Sequence, residues 1–553
     1  MKRLYVLVGL LLCTTAMPMA KQIYVSPNGN DQNSGSNRQN PIESLDYAIN
    51  LADAGDEIIL LNGVYLNPLI VNKSGSPSAP IVIRADNPRS AVIRPTRFFK
   101  DGIRIVGQSH IVIDGVDIDG QHYGEQGNLA HFASIRNSSN IVIRDGHFSY
   151  ARGWHGIQIL NSSYITLEDS QLDWVGMYDH PTKRSSAYGD ILVIEDVNSH
   201  HILVQRNEFR HGGHDLIRIN GTHSIFQDNY LNNSYEDLVG PGAGKRASSQ
   251  LGEHNIFQRN YLTGAGVSSD KPNNPLHKVE GKYNLARFNV FADGINEGIV
   301  SEAGTWSKFA YNARIFHNTF YNLGGPSWRM RMYDGGEMAG SAVFQNNLLV
   351  NTRKQTLGKL TRGDVVFVMR EAAQGPTANS KVISNVISPA KGAHPQAIID
   401  GFGGRLDIDT LENQYADLFM QNRFQSEIDF STSTPSRYLD FKTNKDAAAV
   451  DSGTYLTRTT RSNSSRHIHV SDSLFFTDGL GLIPGDEIML EGRNGTLRVV
   501  EVDHQLNQLT VNESISYSEG QGVTLVYSGS RPDAGAFEYS VTRPNPPRII
   551  VLN

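Results

Sequence analysis

The sequence predicts an all-β chain wound as a right-handed parallel β-helix. An N-terminal cap and a small antiparallel β-domain inserted near the C-terminus complete it. Two observations predict the solenoid. The first is a repeat. An apolar pair, a polar residue or two, one Asn, any residue and an apolar side chain recur from Ile202, Ile225, Ile256, Leu285, Ile315 and Val343. The Asn falls at Asn207, Asn229, Asn260, Asn289, Asn318 and Asn346, with gaps of 22, 31, 29, 29 and 28. Such a period marks stacked supersecondary units. The second is the texture of the phrases. They are short, β-branched and aromatic, alternate apolar with polar, and are separated by the turn formers Asn, Gly, Ser and Asp. A coil of about twenty to thirty residues holding several short strands is one turn of a β-helix. Its aliphatic side chains stack inward. A repeated Asn stacks at a corner, its amide bonded to the next coil, and the six Asn residues are read as that ladder rather than as catalytic groups.

The chain begins with a secretory pattern over residues 1–20. Lys2 and Arg3 precede the apolar run Leu4–Leu12, and small residues surround Ala16 and Ala20. That run is too short to span a bilayer. Cys13 is the only cysteine and leaves with the leader, so the mature chain has neither disulfides nor thiol chemistry. Without Lys2 and Arg3, 48 basic residues face 56 acidic ones. This balance points away from nucleic acid and from an anionic membrane surface. A secreted or periplasmic monomer is expected.

The β-helix is expected over 21–446. Its opening unit has a strand at Ile23–Val25, helical spacing over Pro41–Ala54, a turn at Gly55-Asp56 and a strand at Glu57–Leu61. A helix there covers the open end of the stack. Strands follow at Ile81–Ile83, Ile103–Ile105, Ile111–Ile113, Ile141–Ile143 and Ile165–Leu167. Later, less regular ones lie at Ser327–Tyr333, Val365–Met369 and Val382–Ile387. Insertions at Gly176–Tyr188, Tyr235–Gln250 and Val267–Pro275 interrupt the rhythm. In solenoids such insertions gather on one face and line the groove. The closing segment and its inserted β-domain span 447–540, and a Pro-rich tail spans 541–553. Short antiparallel strands are expected at His467–Val470, Glu487–Leu490, Arg498–Val502, Leu509–Val511 and Val523–Val526. Packing and carbohydrate contact are both open as the role of this domain.

The opening stretch YVSPNGNDQNSGS, then PIESLDYAINLADAGDEIILLNGVY, then SGSPSAPIVIRAD, resembles the N-terminal region of secreted β-helix polysaccharide-degrading proteins. The likeness is to family 9 pectate lyases, with family 6 lyases next in pattern. It implies a polymer groove and an acidic polysaccharide substrate. Family 9 lyases bind calcium through an Asp-Asp-Gly-x-x-Asp run. This chain has none, and Glu236-Asp237 and Asp190 stand isolated in sequence, so calcium stays open as a cofactor. Lys282 precedes Asn289 as the Lys of the family 6 lyases precedes its coil motif, but the place of their Arg falls near Glu302.

Candidate chemistry follows from alternation. With Ile217 and Ile219 inward, Arg218 points out; with Val279 inward, Lys278 and Glu280 point out. A lyase needs a base for the proton α to a uronate carboxylate, a cation for that carboxylate, and an acid for the leaving oxygen. Lys278 or Lys282 suits the base, and Arg218, Arg329 or Arg331 the carboxylate. His214, His277 or Tyr235 suits the donor, and His214 can also be the base. Lys245 and Arg246 flank the groove from an insertion. A glycosidase would use two of Glu280, Glu297 and Glu302 instead. A non-catalytic glycan binder would use Trp306, Trp328 and Tyr333 as sugar platforms. Trp154 and Trp174 fit platform or core equally. His211, His214 and Asp215 form the one run suggestive of a metal, with the metal unknown. The reading that unites these features is an exported lyase acting by β-elimination on a uronate polymer. A hydrolase, a uronate epimerase or a binding module is the alternative.

Overall fold

The computed structural model describes residues 20–122, 127–176, 189–232, 246–264, 275–294, 297–303, 310–332 and 342–350, shorter stretches between 356 and 434, and 435–539. Residues 1–19, residues 540–553 and most of the three insertions lie outside these residues. Successive coils lay one strand on each of three long sheets, of 14, 13 and 13 strands. Pairing is parallel throughout, except where Gly404–Asp407 turns back against Gln396–Ile399. The fold is the expected right-handed parallel β-helix. Among the described residues no helix is long and apolar enough to cross a membrane.

In-facing side chains stack on their own kind. In the first sheet Ile81, Ile111, Ile141, Ile165 and Ile202 lie in register. In the second, Phe291 stacks on Phe320 at 4.9 Å between centroids. Such rows remove apolar surface from water at every coil, and deleting one buried ring costs about 3–5 kcal/mol.

The Asn ladder is present, and longer than the repeat implied. Asn207, Asn229, Asn260, Asn289, Asn318, Asn347, Asn385 and Asn422 each place Oδ1 on the backbone N–H of the Asn one coil before, starting from Ser170. The member in the sixth phrase is therefore Asn347, not Asn346. The residue ahead of each rung turns the corner in the left-handed region, from Arg206 (φ 56°) to Gln421 (φ 57°). Asn346 (φ 53°) is one of these corner residues, and its amide bonds the carbonyl of Thr454.

The cap helix is shorter than its spacing suggested, Leu45–Leu51. Ser44 caps it by accepting from the N–H of Tyr47, while Pro41 and Ile42 stay extended against Val25. The span Val382–Ile387 is two strands, Lys381–Ile383 and Val386–Ser388, split by the corner at Ser384 and the ladder residue Asn385.

The inserted β-domain is a six-stranded antiparallel sheet over 457–525. It packs on the β-helix. Ile468, Ile488, Val499 and Phe475 share one apolar cluster with Ile225, Ile256, Leu285 and Phe316 on the outside of the first sheet. Two ion pairs anchor it: Arg287 to Asp486 at 2.7 Å and Arg314 to Asp472 at 2.8 Å. Phe430, Tyr438, Phe441 and Phe537 cover the second sheet in the same way. Neither cluster takes a residue from the third sheet, whose outer face carries the polar groups described next.

Candidate active site

The third sheet includes His155–Leu160, Asp190–Ile194, Asp215–Ile219, Arg246–Gln250, His277–Val279, Ile299–Ala303 and Trp328–Met332. Its register pairs Leu192 with Ile217 and Val193 with Arg218, then Arg218 with Ser249, Ser249 with Lys278, and Val300 with Arg329. Leu216, Ile217 and Ile219 all belong to the core, so alternation breaks ahead of Ile217. The break leaves both Asp215 and Arg218 on the outside. The same happens one coil earlier, where Ile191 and Leu192 are both core and Asp190 lies out.

Asp190 and Asp215 therefore meet on neighbouring rungs. Both are buried. His214 Nδ1 lies 2.9 Å from Asp190 Oδ1 and 3.4 Å from Asp215 Oδ1. The Asp215 N–H donates to Asp190 at 3.0 Å, and the Ser249 hydroxyl donates to Asp215 Oδ2 at 2.7 Å. Arg218, with a third of its side chain exposed, sets Nη1 3.6 Å from Asp190 Oδ2. His155 approaches the same oxygen at 3.8 Å, and its Nε2 lies 3.2 Å from Glu195. That bond, with a second from Gln158, holds the Glu195 carboxyl down at about 2 although burial opposes it. One coil further back, His131 pairs with Asp101 at 2.9 Å and stacks on His155. Trp154, next to His155, is 64% exposed, whereas Trp174 stacks on His211 at 4.1 Å.

Asp101, His131, His155, Asp190, Glu195 and Ser249 were not singled out from the sequence, where Asp190 appeared isolated. A signal exists. Asp101, His131, His155, Asp190 and Asp215 each stand two residues ahead of an inward aliphatic or alanine residue, at Ile103, Ala133, Ile157, Leu192 and Ile217. Aligning the coils on those residues lines the polar groups up.

The other expected residues divide. Lys278 and Glu280 are both buried and contact each other as an ion pair. Arg329 is bound to buried Glu297 at 2.7 Å. Arg218, Lys278 and Arg329 lie in one column of the sheet, each separated from the next by one rung, at Ser249 and Val300. Lys282 sits round the corner, 3.5 Å from Glu253. Two expectations are overturned by burial. Trp328 is in the core with its Nε1–H on Ser301 and its ring stacked on Phe344 at 5.2 Å, so it is no sugar platform. His277 is fully buried, stacked on Phe257 and bonded to Ser248 and Gln250. Burial pushes its pKa down to about 3, so it cannot donate a proton at neutral pH. Of the His211–His214–Asp215 run, His214 and Asp215 meet, joined by Asp190, while His211 stacks on Trp174. Tyr235, Lys245, Trp306 and Tyr333 lie outside the described residues, as do the side chains of Arg246, Glu302 and Arg331.

Among the described residues, Asp190, His214 and Asp215 are the one group of acidic and imidazole side chains close enough to share an ion. Calcium takes six to eight oxygen ligands. This group offers two carboxylates, an imidazole and an adjacent guanidinium, so calcium does not fit it.

A family model agrees with the architecture over part of the chain. Residues 23–236 match the family model described as Pel9A-like, right handed beta helix region. That stretch is similar to the right-handed β-helix region of Pel9A-like proteins. An uncharacterized protein of Bacillus subtilis, YwoF, is 32% identical over 131 residues, covering 23% of this chain and 28% of its own. Pectate lyase PEL9 of Emericella nidulans is 39% identical over 77 residues, covering 14% of this chain and 18% of its own. The chain thus spans less than a third of each of these relatives. Among solved structures, pectate lyase Pel9A superposes with a TM-score of 0.46 at 15% identity, over 95% of this chain and 97% of that one. A mannuronic acid specific family 6 lyase from human gut microbiota gives 0.46 at 14% identity, over 73% and 91%.

Proposed function

We propose that this pectate-lyase-like β-helix protein is an exported lyase that cleaves a uronate-containing polysaccharide by β-elimination. The observation that carries the reading is the Asp190–His214–Asp215–Arg218 cluster, on the one sheet that neither C-terminal cluster covers. The leader pattern supports export, and exposed Trp154 supplies a face on which a sugar ring can lie.

His214 is the base. Asp190 engages its Nδ1, which directs Nε2 to the proton α to the substrate carboxylate. Arg218 pairs with that carboxylate and carries the charge that grows on it as the proton leaves. The electron pair of the broken C–H bond forms the new carbon–carbon double bond. The β carbon–oxygen bond breaks, and the departing oxygen takes a proton from water. Asp215 holds His214 and Ser249 in place. The hydrolase reading is weaker because Glu280 and Glu297 are each engaged by a cation.

The test is to incubate the mature protein with alginate, pectate, glycosaminoglycans and bacterial exopolysaccharides, following ultraviolet absorbance of the unsaturated uronate beside new reducing ends. Both signals should rise on one polymer, and His214→Ala and Arg218→Ala should each lower kcat/KM by about a hundredfold or more. Reducing ends without absorbance would establish a hydrolase. Neither signal, with glycan retention, would establish a binding module.

A further inference from the structure

We infer that Arg218 occupies the place of a metal ion, so that the site neutralises the substrate carboxylate without calcium. This rests on the elimination reading above and adds how its charge is supplied. Two buried carboxylates on adjacent rungs, about 5 Å apart along the hydrogen-bonding direction, repel each other and call for positive charge between them. In this chain that charge is covalently attached. Arg218 lies 3.6 Å from Asp190 Oδ2, and His214 Nδ1 lies 2.9 Å and 3.4 Å from the two acids. Arg218 offsets one of the two acid charges. A divalent cation added here would stand against the guanidinium and exceed the acids' charge. The remaining contacts are already made by protein donors, the Asp215 N–H on Asp190 Oδ1 and the Ser249 hydroxyl on Asp215 Oδ2.

The geometry also bears on the substrate. A guanidinium pairs with a carboxylate through two parallel N–H donors, a match that an ester lacks. The substrate is therefore a polymer of free uronates, and methyl-esterified chains are poor substrates.

Calcium binding decides the question independently of catalysis. Calorimetric titration of calcium into the mature protein should give no binding heat, and millimolar calcium should leave its melting temperature unchanged. Arg218→Asp places a third carboxylate beside the two acids, and this variant should bind calcium and melt higher in its presence. Arg218→Ser, which removes the guanidinium without adding charge, keeps the test alive if the Asp variant does not fold. It should lose about a hundredfold in kcat/KM, and calcium should not restore it. On whichever polymer is cleaved, prolonged chelation should leave the wild-type rate unchanged. Calcium binding by the wild-type protein at this cluster, loss of its activity on chelation, or full activity of Arg218→Ser would each overturn the inference. If no polymer is cleaved under any condition, the elimination reading falls. The calcium measurements on wild type and Arg218→Asp still decide whether Arg218 holds a cation's place.

Discussion

Glu195 follows the inward strand residue Ile194 and takes its hydrogen bond from His155, which in turn faces Asp190. That bond, aided by Gln158, draws the Glu195 carboxyl from its ordinary 4.5 to about 2, against the burial that would raise it. A carboxyl with a depressed folded pKa stabilises the folded chain above its unfolded value. That contribution fades as pH falls from 4.5 through about 2. The wild-type melting temperature should thus drop more steeply over that window than that of Glu195→Gln, which has no charge to lose. Thermal melts of the two proteins at matched ionic strength check this. Parallel pH profiles would show that the His155 contact does not bind the carboxylate in preference to the acid. Glu195 also bears on the active site, because an ionised Glu195 anchors the ring that packs beside the acid pair.

At the scale of an element, each coil is held at its corner as well as along its strands, many of which are only three residues long. Asn260 shows how. Its Oδ1 accepts from the N–H and the side-chain amide of Asn229, and its own amide donates to the carbonyl of Phe226 and to Asn289 Oδ1. All of these atoms are buried, so truncation strands several of them at once. Asn260→Ala should cost on the order of 3 kcal/mol, since each orphaned buried group costs about 1–3 kcal/mol. Chemical denaturation read by circular dichroism measures it, and a loss below about 0.5 kcal/mol, typical of a surface change, would count against the ladder's role. This ladder was legible in the sequence because each Asn sits inside its own apolar phrase. The slip from Asn347 to Asn346 arose where two Asn stand together, one on the corner and one on the rung. The active site was harder to read. Alternation showed that Arg218, Lys278 and Glu280 point outward, but it carries no information on what covers them. Asp190 and Asp215, 25 residues apart, meet only through a register set by coils of unequal length.

Across the whole molecule, the C-terminal sheet is clamped to the β-helix beside a stack of rings. Tyr164, His201, His223, His254 and Tyr283 each turn a corner at positive φ and lie on one another, and His504 of the C-terminal sheet joins the stack 6.1 Å from His254. These two rings help line a cavity of about 820 Å³ between the two parts, with Arg314, Lys381 and Asp472 on its wall. Burial, with repulsion from His223 and His504, lowers the His254 pKa from 6.5 to about 4, and burial lowers His201, His223 and His504 as well. Asp478 works in the opposite direction on His201, His223 and His504. A histidine whose folded pKa is depressed binds its proton more readily once exposed. Its share of stability is complete above 6.5 and is lost as pH falls toward 4. As pH falls from 6.5 toward about 4 the C-terminal sheet should loosen before the β-helix melts, because the imidazolium charges of His201, His223, His254 and His504 would meet at one seam. Limited proteolysis with an acid-tolerant protease should cut near the 447–453 and 531–539 junctions at about pH 4.5 and spare them at pH 7. His254→Gln, neutral at every pH, should flatten that difference, and equal cleavage of wild type at both values would show that the docked sheet does not sense the histidines.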